Sequence, residues 1–154
     1  MRSHAVWDSP VGPVVAVEED GALVRFGTGT ADETCGPRDD DVLPVLREQL
    51  DAYWSGALRD FDVPLAPAGT PFQQRVWSAL RTIPYGETRS YKELAEQIGA
   101  PTAVRAVGAA NGRNPVWLVV PCHRVIGSSG KLVGYAGGLD VKRYLLDHER
   151  GVLF

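Results

Sequence analysis

A chain of 154 residues, 44% hydrophobic and 23% charged, is long enough to bury a core as one globular unit or two small lobes. No segment approaches the roughly 18 consecutive apolar residues of a membrane span, and the first residues lack the basic and apolar regions of a secretory leader, which reads as an intracellular protein. The net charge of -3 conceals an asymmetry: residues 1–69 hold 13 Asp or Glu against 5 Arg, whereas residues 70–154 hold 11 Lys or Arg against 6 acids. The second half suits a polyanion, although two oppositely charged halves that help each other dock would show the same balance.

In chain order, AVWDSPVGPVVAVEEDGALVRFGTG mixes valine-rich runs with turn formers at Ser9-Pro10, Gly12-Pro13 and Asp20-Gly21, the pattern of short antiparallel strands. Leu46, Leu50, Tyr53 and Trp54 recur at helical spacing, so one amphipathic helix over about 43–54 should cover that sheet. LAPAGTP reads as a linker, dividing an N-terminal α/β domain, 1–66, from a C-terminal helical domain, 67–154. Thr70-Pro71-Phe72-Gln73 then combines an N-cap, a first-turn proline and a capping-box glutamine, with Val76, Ala79, Leu80 and Ile83 following. IPYGET breaks that helix. Ser90-Tyr91-Lys92-Glu93 opens another with Leu94, Ala95 and Ile98 on Tyr91's face, Gly99 ends it, and Thr102 should cap a third, AVRAVGAAN, packed through Val104 and Val107. Two short helices joined by a glycine-containing turn are either a DNA-binding helix-turn-helix or a hairpin that merely packs. Arg105 early in the second helix, Arg113 just past it, and the small Ala106, Gly108 and Ala109 favour close approach to a groove; tight helix packing explains Gly108 equally well.

LVVPCHRVIGSSG places Cys122 between Pro121 and His123. With Cys35 as the other thiol and His4, His123 and His148 as the histidines, neither a disulfide framework nor the paired spacing of a structural zinc site is present, so no metal is expected. Pro121 fixes φ and removes a donor, which suits a rigid corner. In extended chain His123 points away from Cys122, so contact between them would run through a water, and Arg124 close by would favour the thiolate. A buried inert cysteine is the alternative, and Cys35 reads as a packing or loop residue.

From IPYGETRSYKELAEQIGAPTAVRAVGAANGRNP through VPCHRVIGSSGKLVGYAGGLDVKRYLLDHE, the chain closely resembles the O6-alkylguanine-DNA alkyltransferases, with Pro-Cys-His-Arg the most specific motif. The resemblance implies an α+β protein, with a small ribonuclease-H-like antiparallel sheet domain and helix followed by a mostly helical domain containing the helix-turn-helix. It implies direct-reversal repair of double-stranded DNA containing O6-alkylguanine, bound through the minor groove, with the nucleotide flipped out and no cofactor. Cys122 would take the alkyl group; His123 would be its water-linked base, Glu149 would orient the imidazole, and Asn114 would brace the helices against the active segment. Tyr91, Val125, Tyr135 and Ala136 would meet the guanine, Ala136 standing where some relatives have serine. Arg105 would fill the gap left by the flipped nucleotide, with Tyr91, Ala106, Gly108, Ala109 and Arg113 also meeting DNA. A thioether on Cys122 has no activated acyl carbon for water to attack, so one transfer would consume the protein. The rivals are a non-catalytic relative lacking the nucleophile, which Cys122 opposes, and a Cys-His hydrolase that turns over. Trp117, in NPVWLVVPC, either lines the alkyl pocket or is plain core.

Overall fold

The computed structural model describes residues 1–130, 135 and 138–151, and Ala136 therefore lies outside the described residues. The chain divides into two compact units, Met1–Ala68 and Gly69–Phe154.

In the first unit β1 (Arg2–Trp7), β2 (Val14–Glu19) and β3 (Ala22–Thr28) form an antiparallel sheet in the order β1-β2-β3. The β2–β3 hairpin closes through Asp20 and Gly21, both left-handed at φ 53° and 84°, a two-residue turn that Asp-Gly adopts at little cost. Val14, Val15, Ala16 and Val17 are all buried, so the central strand is covered on both faces. One face gathers Val15, Val17 and Val24 around Cys35, which ends the short 3-10 turn Glu33–Cys35 and is a packing residue. Helix α1 (Pro44–Trp54) buries Leu46, Leu50 and Tyr53 and lies beside β1, with the Arg47 guanidinium 5.7 Å from the Trp7 ring centre. The expected linker is partly fixed: Leu23 donates to Pro64 and accepts from Ala66, both at 2.9 Å, so the chain zips along β3 before it leaves the unit.

In the second unit α2 (Pro71–Leu80) and α3 (Tyr91–Gln97) start at the two capping boxes that their sequences announce, each with reciprocal bonds of 2.9–3.1 Å. Helix α4 (Val104–Gly112) starts one residue later than expected. Thr102 is not its cap: Ala103 is, with no side-chain bond, because the Ala103 N–H closes a turn onto Ala100 and the helix winds on from there. Val107, Ala110 and Asn111 make the packing face, and Val104, expected with them, is exposed. Trp77 donates its indole N–H to Ala110 O at 2.9 Å, tying α2 to α4. A pairing that the local patterns do not signal joins β4 (Arg89–Ser90) in parallel to β5 (Val125–Ile126). It seats the start of α3, and hence Tyr91, beside the chain that leaves Cys122. Helix α5 (Leu139–Glu149) buries Lys142, Leu145, Leu146 and Glu149, one stripe at helical spacing.

Candidate active site

The apolar run before Cys122 looks like a strand but turns back on itself. Leu118 takes a left-handed φ of 75°, Val120 N–H reaches Val116 O at 3.0 Å, and Trp117 bridges to Val120. Asn114, just beyond α4, locks the turn from within: its Nδ2 donates to Val120 O at 2.9 Å and its Oδ1 accepts from Val116 N–H at 3.0 Å. Pro121 is the corner (φ -80°, ψ 64°), and Cys122–Arg124 form a 3-10 turn, not the extended chain assumed from sequence. Cys122 is 3% exposed and His123 fully buried.

Glu149 reaches this turn from the end of α5. Its Oε2 accepts from His123 Nε2 at 2.7 Å, while Arg124 donates Nε to Oε1 at 2.7 Å and Nη2 to Oε2 at 3.0 Å. Arg124 also donates Nη1 to Ile83 O at 2.8 Å and lies 5.7 Å from the Tyr85 ring centre. Burial pushes the Glu149 carboxyl up, but the His123 contact and, after it, the Arg124 contacts overcome this and hold it at about 2, so it is ionised and can only accept. His123 Nε2 must then carry the hydrogen. Burial pushes the His123 pKa down against the pull of Glu149, which leaves a neutral ring. His123 Nδ1 is thus a lone-pair acceptor, buried and without a hydrogen-bond partner among the described residues. A carboxylate that fixes the tautomer and a bare nitrogen on the far side of the ring are the parts of a general base.

Around the thiol, burial pushes the Cys122 pKa up, opposed by the polar side chains of Asn114 and Tyr135 and by the charge of Lys142. A thiol held protonated at rest needs a base to react. Tyr91 also converges here: burial raises its pKa, the Cys122 charge adds to that, and a hydrogen bond with Asn111 opposes it. The Tyr135 ring lies 5.6 Å from Trp117, which is 5% exposed, so the indole backs a residue that touches the nucleophile.

Cys122, His123, Glu149, Asn114, Tyr91 and Tyr135 therefore come together, with Val125 next along the chain after the 3-10 turn. Arg105, Ala106 and Ala109 are exposed on α4, and Arg113 is exposed just past its end. Gly108 faces Tyr91, where a Cβ would sit 3.8 Å from the ring, so packing does not demand glycine there. The expectation that Arg124 favours the thiolate is corrected: Arg124 serves Glu149, and the cation acting on the thiol is Lys142. That lysine is fully buried and donates to Val125 O at 2.6 Å. Its signal in the sequence is a lysine on the apolar stripe of a helical pattern, seven residues before Glu149.

The family profile described as 6-O-methylguanine DNA methyltransferase, DNA binding domain, matches residues 71–151. A methylated-DNA–protein-cysteine methyltransferase of Methanosarcina barkeri is 63% identical over 155 residues, covering 97% of this chain and 98% of its own length. One from Mycobacterium tuberculosis is 52% identical over 154 residues, covering 97% of this chain and 93% of its own. The crystal structure of Mycobacterium tuberculosis OGT in complex with DNA superposes with a TM-score of 0.92 at 50% identity, over 97% of this chain and 93% of that one. By sequence along its whole length and by fold, the chain belongs to the 6-O-methylguanine DNA methyltransferase family, the methylated-DNA–protein-cysteine methyltransferases.

Proposed function

We propose that this protein repairs O6-alkylguanine in double-stranded DNA by transferring the alkyl group to Cys122, and that one transfer spends it. The observation that carries the reading is the neutral His123 imidazole, adjoining Cys122 in the chain, its Nε2 fixed by Glu149 and its Nδ1 buried and bare among the described residues. His123 takes the Cys122 proton through a bridging water. The sulfur attacks the alkyl carbon, an S–C bond forms as the C–O6 bond breaks, and the bonding pair leaves on guanine O6. The guanine thereby returns to its carbonyl form and takes up a proton at N1, which balances the one that His123 removed from Cys122. The resulting thioether has no path back to thiol by hydrolysis, which separates this protein from a Cys-His hydrolase.

A stacked guanine cannot present its O6 carbon to a thiol that is 3% exposed, so the nucleotide must leave the helix. Helices α3 and α4 act as the helix-turn-helix, with the smooth exposed side of α4 laid in the minor groove and Arg105 in the space the nucleotide vacates. Asn114 braces α4 to the active turn. Tyr91, Val125, Tyr135 and the segment at Ala136 receive the base. Sequence-independent affinity comes from phosphate contacts, as the basic balance of residues 70–154 suits. The antiparallel sheet with α1 supports a ribonuclease-H-like N-terminal domain, 1–66, ahead of the DNA-binding and catalytic domain, 67–154. The protein works inside the cell, where its substrate is; none of the described helices is long and apolar enough to cross a membrane.

Incubation with excess duplex DNA labelled at the methyl of O6-methylguanine tests this. One label per protein, on the peptide containing Cys122 and absent from Cys122→Ser, is expected. Label on Cys35, or release of many labels per protein into solution, would overturn the assignment.

A further inference from the structure

The buried face of α4 consists of Val107, Ala110 and Asn111, an amide among aliphatic neighbours and a weak helix former at that position. Asn114, just beyond the helix, shows how a buried amide is ordinarily held, with one end bonded to Val120 O and the other to Val116 N–H. Asn111 is different. Its hydrogen bond with Tyr91 draws the phenol pKa down, which identifies the amide N–H as the donor. Its Oδ1 is buried and without a hydrogen-bond partner among the described residues, in a residue that is 5% exposed.

The helix fixes where that oxygen lies. Gly108 stands one turn before Asn111 on the same face of α4, and a Cβ there would be 3.8 Å from the Tyr91 ring. Tyr91 in turn feels the charge of Cys122, and Asn114 grips the turn that leads into the nucleophile. Asn111 therefore belongs to the wall that Tyr91 and Asn114 make beside the thiol.

We propose that Asn111 is a specificity-determining residue, its Oδ1 accepting a hydrogen bond from the exocyclic 2-amino group of the flipped O6-alkylguanine. The chemistry of the base leaves one candidate. Alkylation at O6 removes the N1 hydrogen, N3 and N7 are acceptors, and N9 carries the sugar, so the 2-amino group is the one donor on the substrate base. An O4-alkylated thymine carries no donor at all and would leave the Asn111 oxygen buried and unpaired, so the same contact favours guanine lesions.

The inference deepens the alkyl-transfer reading and rests on it. Its test measures single-turnover alkylation of Cys122 by two duplexes, one with O6-methylguanine and one with O6-methylhypoxanthine, which lacks the 2-amino group alone. Each lesion is placed opposite an abasic site, so that no base pair has to be broken. The wild type should react about tenfold or more faster with O6-methylguanine. Asn111→Leu, which suits the aliphatic neighbours, and Asn111→Ala should both lose most of that preference. Rates that fall equally on the two duplexes, with the ratio kept, would mean that Asn111 acts only by holding Tyr91, and would overturn the proposal. Equal rates for the wild type overturn it whether or not the variants fold. Absence of transfer from either duplex would instead sink the alkyl-transfer reading, and the inference with it.

Discussion

Replacing Glu149 by glutamine keeps the side chain's shape and removes its charge, leaving Arg124 buried without a counter-ion and His123 without a fixed tautomer. Two routes give the size of the loss. Breaking a buried ion pair from one side costs about 3–5 kcal/mol. Independently, the Glu149 carboxyl is held at about 2 against an ordinary 4.5, which at about 1.4 kcal/mol per unit is about 3 kcal/mol of linked stability. Because the folded-state value is the lower one, this stability is fully present above pH 4.5 and drains away as pH falls toward 2. His123 works in the same direction: its lowered folded pKa favours the native state above its ordinary value and penalises it below. Urea denaturation of wild type and Glu149→Gln should therefore differ by about 3 kcal/mol at pH 7, with the gap closing as pH drops below 4.5. A gap under about 1 kcal/mol at pH 7, or one that stays constant into acid, would refute the reasoning that Glu149 is an ionised, paired acceptor.

The remaining predictions concern the surroundings of the thiol and the DNA-facing helix. Arg105→Ala should leave stability within about 0.5 kcal/mol, since the residue is exposed, yet slow repair of duplex DNA about tenfold or more relative to reaction with the free O6-alkylguanine base; equal losses on both would place its role elsewhere. Asn114→Ala strands the Val116 N–H inside the protein, while the Val120 carbonyl keeps the Cys122 N–H as a donor, and should cost about 1–3 kcal/mol by denaturation, with a loss below about 0.5 showing that the turn holds without it. Trp117→Ala should destabilise by about 3–5 kcal/mol and also raise the ratio of O6-benzylguanine to O6-methylguanine rates. An unchanged ratio would assign the indole to the core alone.

What can be read in advance follows from how local the forces are. The two capping boxes, the Asp20-Gly21 hairpin and the stripe of α1 depend on residues within a few positions of one another, and all stand as expected. The start of α4 differs by one residue because a turn from Ala100 to Ala103 competes with the hydroxyl of Thr102, and only geometry decides between them. The Arg89–Val125 and Ser90–Ile126 pairing is two residues long and joins chain positions 36 apart, too short and too distant for any periodicity to mark it. Leu118 sits in a left-handed conformation that its residue type disfavours, held by the surrounding turn, so an apolar run that looks extended folds back. Within the site, Cys122, His123 and Glu149 are identified through a resemblance, while Arg124 and Lys142 acquire their roles from α5 docking against the turn.

The two charges that α5 buries each sit at the end where a helix tolerates them least: Lys142 lies near the partially positive start and Glu149 at the partially negative finish. As a folding element, α5 would be better with leucines at both positions and an apolar residue in place of Arg124, since buried ionic groups replaced together by well-packed apolar ones are often neutral or stabilising. Selection for thermostability alone would therefore erode the site from the helix inward, converging on hardy proteins that still fold but no longer react. A library aimed at tougher variants needs an activity gate at positions 124, 142 and 149, and the burial of charge at these three places is the mark of a helix shaped by its chemistry at the expense of its own stability.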